Sequence, residues 1–265
     1  MRWWKWLLVS VGILLVIAAV IFGLTKQFVT VSENNLPKFI QANAVDPSVV
    51  TTVSKFRSTA GHSNPGWPES CRSMKHYITV YDPAKTGQQI TMSLRGQTPT
   101  ADAAITIFSP VSGRISKQGT GEGDDQLNIS VDGYRGWSIR FEHVHLLPTI
   151  SRFNAHVSAG EPIATVWNVQ NFDLSVFYHY YRGDELFSYF EVLPPNLFAA
   201  WQAQGATTTD EFVFTKAYRD AHPATCLNDR KGTPSFADPS GQVTENWVPE
   251  NFVRLKPDYD PQHPR

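Results

Sequence analysis

The sequence predicts a mainly β fold, a sandwich or barrel of short strands. Three observations support this prediction. Short segments alternate apolar and polar residues or are enriched in β-branched and aromatic residues, turn-forming Gly, Asp and Pro separate them at intervals of roughly ten residues, and no long amphipathic helix interrupts them. The chain has 265 residues, of which 42% are hydrophobic and 12% aromatic, so it can bury a sizeable core.

The predicted strands lie between residues 76 and 193. Each satisfies at least one strand criterion, alternation or β-branched and aromatic content, and each is bounded by a turn residue. In chain order they are HYITVYD (76–82), QQITMSL (88–94), AITIFSP (104–110), GRISKQG (113–119), QLNISVDG (126–133), WSIRFEHV (137–144), PIATVW (162–167), DLSVFYHY (173–180) and FSYFEVL (187–193).

The pattern changes after Val192, where a short helical and irregular extension is predicted. PPNLFAAWQAQG favours a short helix that ends at Gly205. Thr208, followed three residues later by Glu211, is typical of a capping box that opens a second helix, which Pro223 would end. The remaining tail is rich in Pro, Asp and Asn, which predicts irregular structure.

The N-terminal residues predict a membrane anchor. Leu7 to Leu24 carries no charged residue and is close to the length that crosses a bilayer as a helix, and the tryptophans of MRWWKW suit the headgroup region. A cleaved signal peptide is the alternative, since its first residues would also be basic, although the apolar run is long for that role. Arg2 and Lys5 precede the span and Lys26 follows it, so the positive-inside rule places the rest of the chain outside the cytoplasm.

Four segments follow from these patterns. The anchor occupies residues 1–26, a juxtamembrane linker of mixed polarity residues 27–55, the β domain residues 56–193, and the extension residues 194–265. We therefore expect a single-pass membrane protein with its N-terminus in the cytoplasm.

The charge of the chain argues against a nucleic-acid partner. Lys and Arg number 23 and Asp and Glu number 24, which leaves a net charge of -1, and no basic run is present. Binding to DNA or RNA requires a basic surface. The membrane is therefore an expected partner and a nucleic acid is not.

The two cysteines, Cys71 and Cys226, agree with an extracytoplasmic location. In an oxidising compartment an isolated pair predicts a disulfide. Such a bond would tie the C-terminal extension to the start of the β domain. Two separate buried thiols are the alternative.

Three stretches of the β region resemble a known family. IFSPVSGRIS (107–116) is similar to a turn-strand element, LNISVDGYRGWSIRFEHV (127–144) to a hairpin that carries an aromatic-x-His, and AHVSAGEPIATV (155–166) to a glycine-containing element that leads into the next strand. Their order and spacing resemble the M23 (lysostaphin/LytM-type) metallopeptidases and the wider biotinyl/lipoyl-like β folds. The resemblance covers roughly residues 100–193 and implies a duplicated-hybrid-motif core.

Active M23 enzymes are zinc peptidases that cut peptidoglycan cross-bridges, so the resemblance also implies catalytic elements. The family has an H-x-x-x-D with two zinc ligands, the aromatic-x-His with a catalytic histidine, and a late H-x-H that completes the ligand set. Here only the middle element matches, at His143. Asp173 and Ser175 stand where the late H-x-H would fall, and neither His62 nor His76 is followed by Asp four residues later. Serine is not a normal zinc ligand, so the resemblance implies a degenerate site.

The strand that contains His143 and His145 has two interpretations. Both side chains would point to the same side of a regular strand and could reach one ion. Alternatively, they are polar residues that face a groove. A rearranged zinc site would take three ligands from His62, His76, His143 and Asp173 and leave one position open for water.

The degenerate pattern favours a non-catalytic function. We expect a membrane-anchored extracytoplasmic protein that binds peptidoglycan or an envelope partner, without a cofactor, through His143, His145, Asp173 and Ser175. The alternative is a zinc endopeptidase acting on cell-wall peptides with the rearranged ligands, in which His143 stabilises the developing oxyanion. A second alternative is a structural subunit of an envelope complex, which would show an exposed apolar patch.

Overall fold

The computed structural model describes ten stretches of the chain, residues 12–14, 31, 35–62, 68–85, 99–119, 125–150, 154–180, 183–228, 234–236 and 248–255. The chain divides into two compact units, Met1–Leu36 and Pro37–Arg265. Most of the predicted anchor lies outside the described residues. Within the described stretches, no helix has both the length and the apolar character needed to cross a bilayer.

Antiparallel strands form the body of the second unit. The strands are β1 Val50–Ser54, β2 His76–Val80, β3 Ala104–Phe108, β4 Gly113–Gly119, β5 Asp125–Val131, β6 Trp137–Leu146, β7 His156–Val157, β8 Pro162–Trp167, β9 Asn171–Tyr180, β10 Gly183–Phe187, β11 Cys226–Asn228, β12 Pro234–Phe236 and β13 Phe252–Arg254. The main sheet has the order β13-β1-β2-β9-β6-β5-β4-β7; β10 pairs with β9, and β8 links β6 to β3. β11 and β12 form a separate pair. The prediction of a mainly β fold is confirmed.

The compact unit begins earlier than the predicted β domain. Residues 37–55, which the sequence assigns to the linker, include β1, and β1 pairs with β2 and β13. Phe39 and Ile40 are each 2% exposed, so this segment contributes to the core. The strand predicted at 88–94 lies outside the described residues.

The strand predicted at 187–193 is wrong, because most of this segment is helical. The helices are α1 Tyr189–Val192, α2 Pro195–Gln202 and α3 Lys216–Ala221. Ser188 caps α1: its hydroxyl accepts from the Phe190 N–H at 3.2 Å, and the Glu191 carboxylate accepts from the Ser188 N–H at 3.0 Å. This S-x-x-E capping box outweighs the aromatic content that favours a strand.

The capping box predicted at Thr208 does not form. The Glu211 carboxylate instead accepts from the N–H and the hydroxyl of Thr207, at 2.7 and 3.0 Å. The residues after Thr208 form a single 3-10 turn, and α3 begins only after Thr215, whose hydroxyl accepts from the backbone. The extension is nevertheless helical in its first part, as predicted.

Aromatic packing joins the extension to helix α1, and a disulfide joins it to the start of the β domain. The Phe190 ring of α1 stacks on Phe212 at 3.7 Å between centroids and meets Trp201 of α2 edge-on at 5.0 Å. The disulfide between Cys71 and Cys226 forms as predicted, with Cα atoms 5.6 Å apart and 155 residues between them in sequence. Both contacts tie the C-terminal residues to the β domain.

Across β5, β6 and β9 the sheet has one apolar face and one polar face. Residues paired across neighbouring strands project to the same side. The apolar face is fully buried and consists of Ile129, Ile139, Phe141, Leu174 and Val176. The side chains that alternate with these are mostly polar, and they carry the candidate site.

Candidate functional site

The polar face has a group of charged residues where β2, β9 and β6 run side by side. Tyr77 pairs with Asp173, and Asp173 pairs with Glu142, so these side chains project to one side. Lys75, just before β2, reaches the same side. We name as the ion cluster the residues His62, Lys75, Glu142, His143 and Asp173.

Lys75 lies at the centre of the ion cluster. Its Nζ lies 2.9 Å from Glu142 Oε2, contacts Asp173 Oδ2, and lies 3.5 Å from His62 Nε2. The ammonium is also 5.0 Å from the centre of the Tyr77 ring. The side chains of Lys75 and Asp173 are buried, so these opposite charges meet away from water. Removing either partner would leave an uncompensated buried charge, which is strongly destabilising.

Burial and the attraction between opposite charges shift the pKa values of Lys75, Glu142 and Asp173 in the ion cluster. Burial acts against the charge on Lys75, but the attraction of Asp173 and Glu142 outweighs it and raises the pKa of Lys75. Burial also acts against charge on Glu142, but the Lys75 ammonium holds the pKa of this carboxyl below its usual value. Complete burial raises the pKa of Asp173, although Lys75 and His143 act in the opposite direction. One ammonium therefore compensates two carboxylates incompletely.

His143 reaches the ion cluster because β6 is bulged. Between two consecutive pairs with β5, β6 supplies one residue more than its partner. His143 takes a left-handed conformation there, with φ of 64°, as bulge residues do. Its Nε2 lies 3.5 Å from Asp173 Oδ2, and its side chain is 42% exposed. His143 and the exposed His62 thus form the open edge of the ion cluster, whereas Lys75 and Asp173 are buried.

His145 lies in a different part of β6 from His143, because the bulge marks the point where the pairing of β6 with β9 ends. His145 is buried and lies where β6 has changed partner from β9 to β8, opposite Thr165.

His62 joins the ion cluster through Gly61 and Tyr77. The Tyr77 hydroxyl accepts from the His62 N–H at 3.2 Å. Gly61 has φ of 68°, and a Cβ at this position would lie 2.1 Å from the Tyr77 hydroxyl oxygen, so only glycine fits. This close approach positions His62 beside Lys75.

His76, by contrast, is a structural residue. Its Nδ1 lies 2.7 Å from the carbonyl oxygen of Ser54 and its Nε2 lies 2.8 Å from Ser188 Oγ. A carbonyl only accepts, so Nδ1 donates and Nε2 accepts the Ser188 hydroxyl. Both ring nitrogens are used, and burial lowers the pKa of His76 to about 4. His76 therefore links β2 to the start of α1 and does not have the metal-ligand role that the sequence suggests.

The ion cluster does not fit the zinc that the M23 resemblance implies. Zinc binds carboxylate and imidazole atoms at about 2.0–2.2 Å, and the space between Glu142 and Asp173 is filled by the Lys75 ammonium. A second cation would be repelled there. In the stretches that the structure describes, no group of three or more His, Cys, Asp or Glu side chains is arranged to hold a metal ion.

Polar side chains continue from the ion cluster along β5, β6 and β9. Arg140 pairs with Asn128 on one side and with Ser175 on the other. Its Nε donates to Asn128 Oδ1 at 2.9 Å, and its guanidinium lies 4.3 Å from the centre of the Phe177 ring. We name as the polar strip the residues Asn128, Ser138, Arg140, Ser175 and His179.

Sequence reasoning identified Ser175 but neither Lys75 nor Arg140. Arg140 could have been found, because it alternates with Glu142 and so shares its side of the strand. Nothing in the local sequence marks Lys75, because the residues around it come from other strands.

Ser138, His179 and Asp184 form a hydrogen-bonded chain at the other end of the polar strip. His179 Nε2 lies 2.7 Å from Ser138 Oγ, and its Nδ1 lies 2.7 Å from Asp184 Oδ1. This order of atoms is that of a serine hydrolase triad. Ser138, however, is only 3% exposed within β6, beside Phe177, whereas the His179 side chain is 43% exposed. A nucleophile must be accessible to substrate. We therefore interpret the hydrogen bonds with Ser138 and Asp184 as contacts that orient the His179 ring.

Comparisons with known proteins show little similarity. No protein-family model matches this chain, and no curated protein matches it. Among solved structures, Csd3 of Helicobacter pylori, determined from a hexagonal crystal, overlaps with it at 14% sequence identity and a TM-score of 0.25. The overlap covers 39% of this chain and 36% of Csd3, so this chain spans little more than a third of that protein. The mainly β fold is the part of the M23 resemblance that the structure bears out.

Proposed function

We propose that this chain is a membrane-anchored extracytoplasmic protein whose β domain binds peptidoglycan or an envelope partner without catalysing a reaction. Residues 1–26 are its anchor, with the N-terminus in the cytoplasm. The partly exposed Arg140 of the polar strip, together with the exposed rings of His143 and His179, forms the binding surface. The M23-like pattern over residues 100–193 supports a ligand from the cell wall.

The position of Lys75 is the observation that carries this proposal. Its ammonium lies within ion-pair distance of both Glu142 and Asp173, the two carboxylates that would otherwise hold a metal ion or act as a general base. A general base works best with a pKa near the working pH, whereas Lys75 lowers the pKa of Glu142. Asp173 is fully buried and so does not meet a substrate.

The polar strip suits a ligand with carboxylates, amides and hydroxyls, such as a wall peptide or glycan. Arg140 is held by Asn128 and by the face of Phe177, so its guanidinium is already oriented. A planar guanidinium recognises a carboxylate through paired hydrogen bonds. The exposed rings of His143 and His179 lie on either side of it along the strands. Groups that are already fixed lose little entropy on binding.

Sedimentation of the purified chain, in detergent, with isolated peptidoglycan tests the proposal. Arg140→Ala should weaken binding about tenfold or more, because a hydrogen bond to a charged group contributes about 1.5–3 kcal/mol. Arg254→Ala is the matched control, since Arg254 is exposed on β13 outside the polar strip. The proposal fails if the chain binds neither peptidoglycan nor any envelope protein, or if Arg140→Ala binds as well as the wild type.

The zinc endopeptidase alternative predicts a different result. It requires zinc-dependent cleavage of wall peptides by the wild type, and loss of that cleavage in a folded His143→Ala variant. The Lys75 ammonium between the two carboxylates argues against this alternative. Observing such cleavage would replace the binding proposal.

The structural-subunit alternative predicts an exposed apolar patch. Among the described residues of the second unit, the large apolar side chains that are exposed are Tyr134, Tyr218 and Val248. They lie in three separate segments of the chain, a turn before β6, helix α3 and the approach to β13. The polar face is therefore the better candidate for a contact surface.

A further inference from the structure

The buried part of the ion cluster holds more negative than positive charge. Lys75, Glu142 and Asp173 supply one ammonium and two carboxylates, with side chains that are 1%, 11% and 0% exposed. Within the described stretches, no hydrogen-bond donor reaches Asp173 Oδ1. A buried carboxylate oxygen without a donor is unfavourable. The cluster therefore depends on the positive charge at its centre.

The atoms around the Lys75 ammonium are those that bind divalent transition metals. Glu142 Oε2 lies 2.9 Å and His62 Nε2 3.5 Å from Lys75 Nζ, and Asp173 Oδ2 is in contact with it. His143 Nε2 lies 3.5 Å from the same Asp173 oxygen. Zinc holds such ligands at about 2.0–2.2 Å, so Glu142 and His62 would each need to move inward by roughly an ångström.

We propose that the Lys75 ammonium is a built-in replacement for a metal ion, and that removing it converts the ion cluster into a site for a divalent transition metal such as zinc. Glu142, His143 and Asp173 bind the metal in that case, and His62 is near enough to be a fourth ligand. In the wild type the chain's own cation fills this position, and folding is independent of metal. The inference concerns charge balance inside the domain and does not rest on the proposed binding function.

Lys75→Ala tests this inference, because alanine removes the charge and leaves space for a metal. The whole chain is purified as wild type and variant, dialysed with or without zinc, analysed for bound metal, and then unfolded thermally with zinc or with EDTA. We expect about one zinc per chain in Lys75→Ala and a Tm that zinc raises by about 5 °C or more, whereas the wild type shows neither effect. Lys216→Ala is the matched control: Lys216 is an exposed lysine paired with Asp220, and this variant should behave as the wild type.

A second variant keeps the test decisive if Lys75→Ala is unstable. Two uncompensated carboxylates are expected to weaken folding, so a variant that folds only with zinc supports the inference. Lys75→Ala/Asp173→Asn removes one ligand and one charge, and should fold without binding zinc. A folded Lys75→Ala that neither binds zinc nor is stabilised by it overturns the inference. It is equally overturned if the double variant binds zinc as well as the single one, or if Lys75→Ala fails to fold with and without zinc.

Discussion

Acid should destabilise this protein through His76. The ring is fully buried between the carbonyl oxygen of Ser54 and the hydroxyl of Ser188, and burial lowers its pKa from 6.5 to about 4. The unfolded chain therefore takes up a proton at a higher pH than the folded chain does. The stabilisation from this neutral ring is complete above about pH 6.5 and is lost progressively as the pH falls to about 4. Since one pKa unit corresponds to about 1.4 kcal/mol, the full loss amounts to about 3 kcal/mol.

Urea unfolding at neutral pH and at about pH 4.5 measures this loss. His76→Gln is the comparison, because glutamine keeps a donor and an acceptor but carries no charge in this range. The carboxylates titrate in both proteins, so the difference between their pH dependences isolates His76. The variant should be less stable at neutral pH but should lose about 2.5 kcal/mol less than the wild type between neutral pH and about pH 4.5, which is most of the full loss. Equal losses of stability in the two proteins would refute the assignment of His76 as a neutral ring with both nitrogens hydrogen-bonded.

Three further predictions concern the disulfide, the aromatic cluster and the serine of the hydrogen-bonded chain. Replacing both Cys71 and Cys226 by serine should lower the free energy of unfolding in urea by about 5 kcal/mol on the chain-entropy estimate for a separation of 155 residues; a loss under about 1 kcal/mol would contradict that estimate. Phe190→Ala should lower the same quantity by about 3–5 kcal/mol, because the ring is fully buried and stacked on Phe212, and a loss typical of a surface site would show that the cluster contributes little. A fluorophosphonate probe should leave Ser138 unlabelled because this serine is buried, and labelling that disappears in Ser138→Ala would contradict the non-catalytic proposal.

Most of the sheet could be predicted because the signal for a strand is local. Residues 126–133 and 137–144 alternate polar and apolar side chains, and they became β5 and β6 with one buried face. The failure at 187–193 was local too, since Ser188 and Glu191 form a capping box that the aromatic content concealed.

Within the candidate site, the predicted residues did not stay together. His143 and Asp173 lie together. His76 is instead hydrogen-bonded to Ser54 and Ser188, and His145 lies beyond the bulge. The bulge adds one residue to β6, and a single added residue reverses the direction of every side chain that follows. The sequence carries a trace of that insertion, because Ile139, Phe141 and Val144 cannot all face the core in one regular register.

The sequence by itself determined the mainly β fold and the pairing of the two cysteines. Strand alternation is a pattern of neighbouring residues, and a chain with two cysteines offers only one pair. Only the tertiary structure decided what the charged residues do. The register of β2, β9 and β6 places Glu142 beside Asp173 and brings Lys75 between them, although the three residues lie far apart in the chain. Charge compensation in a buried site depends on which side chain arrives between the carboxylates, and that is a property of strand pairing rather than of any local pattern.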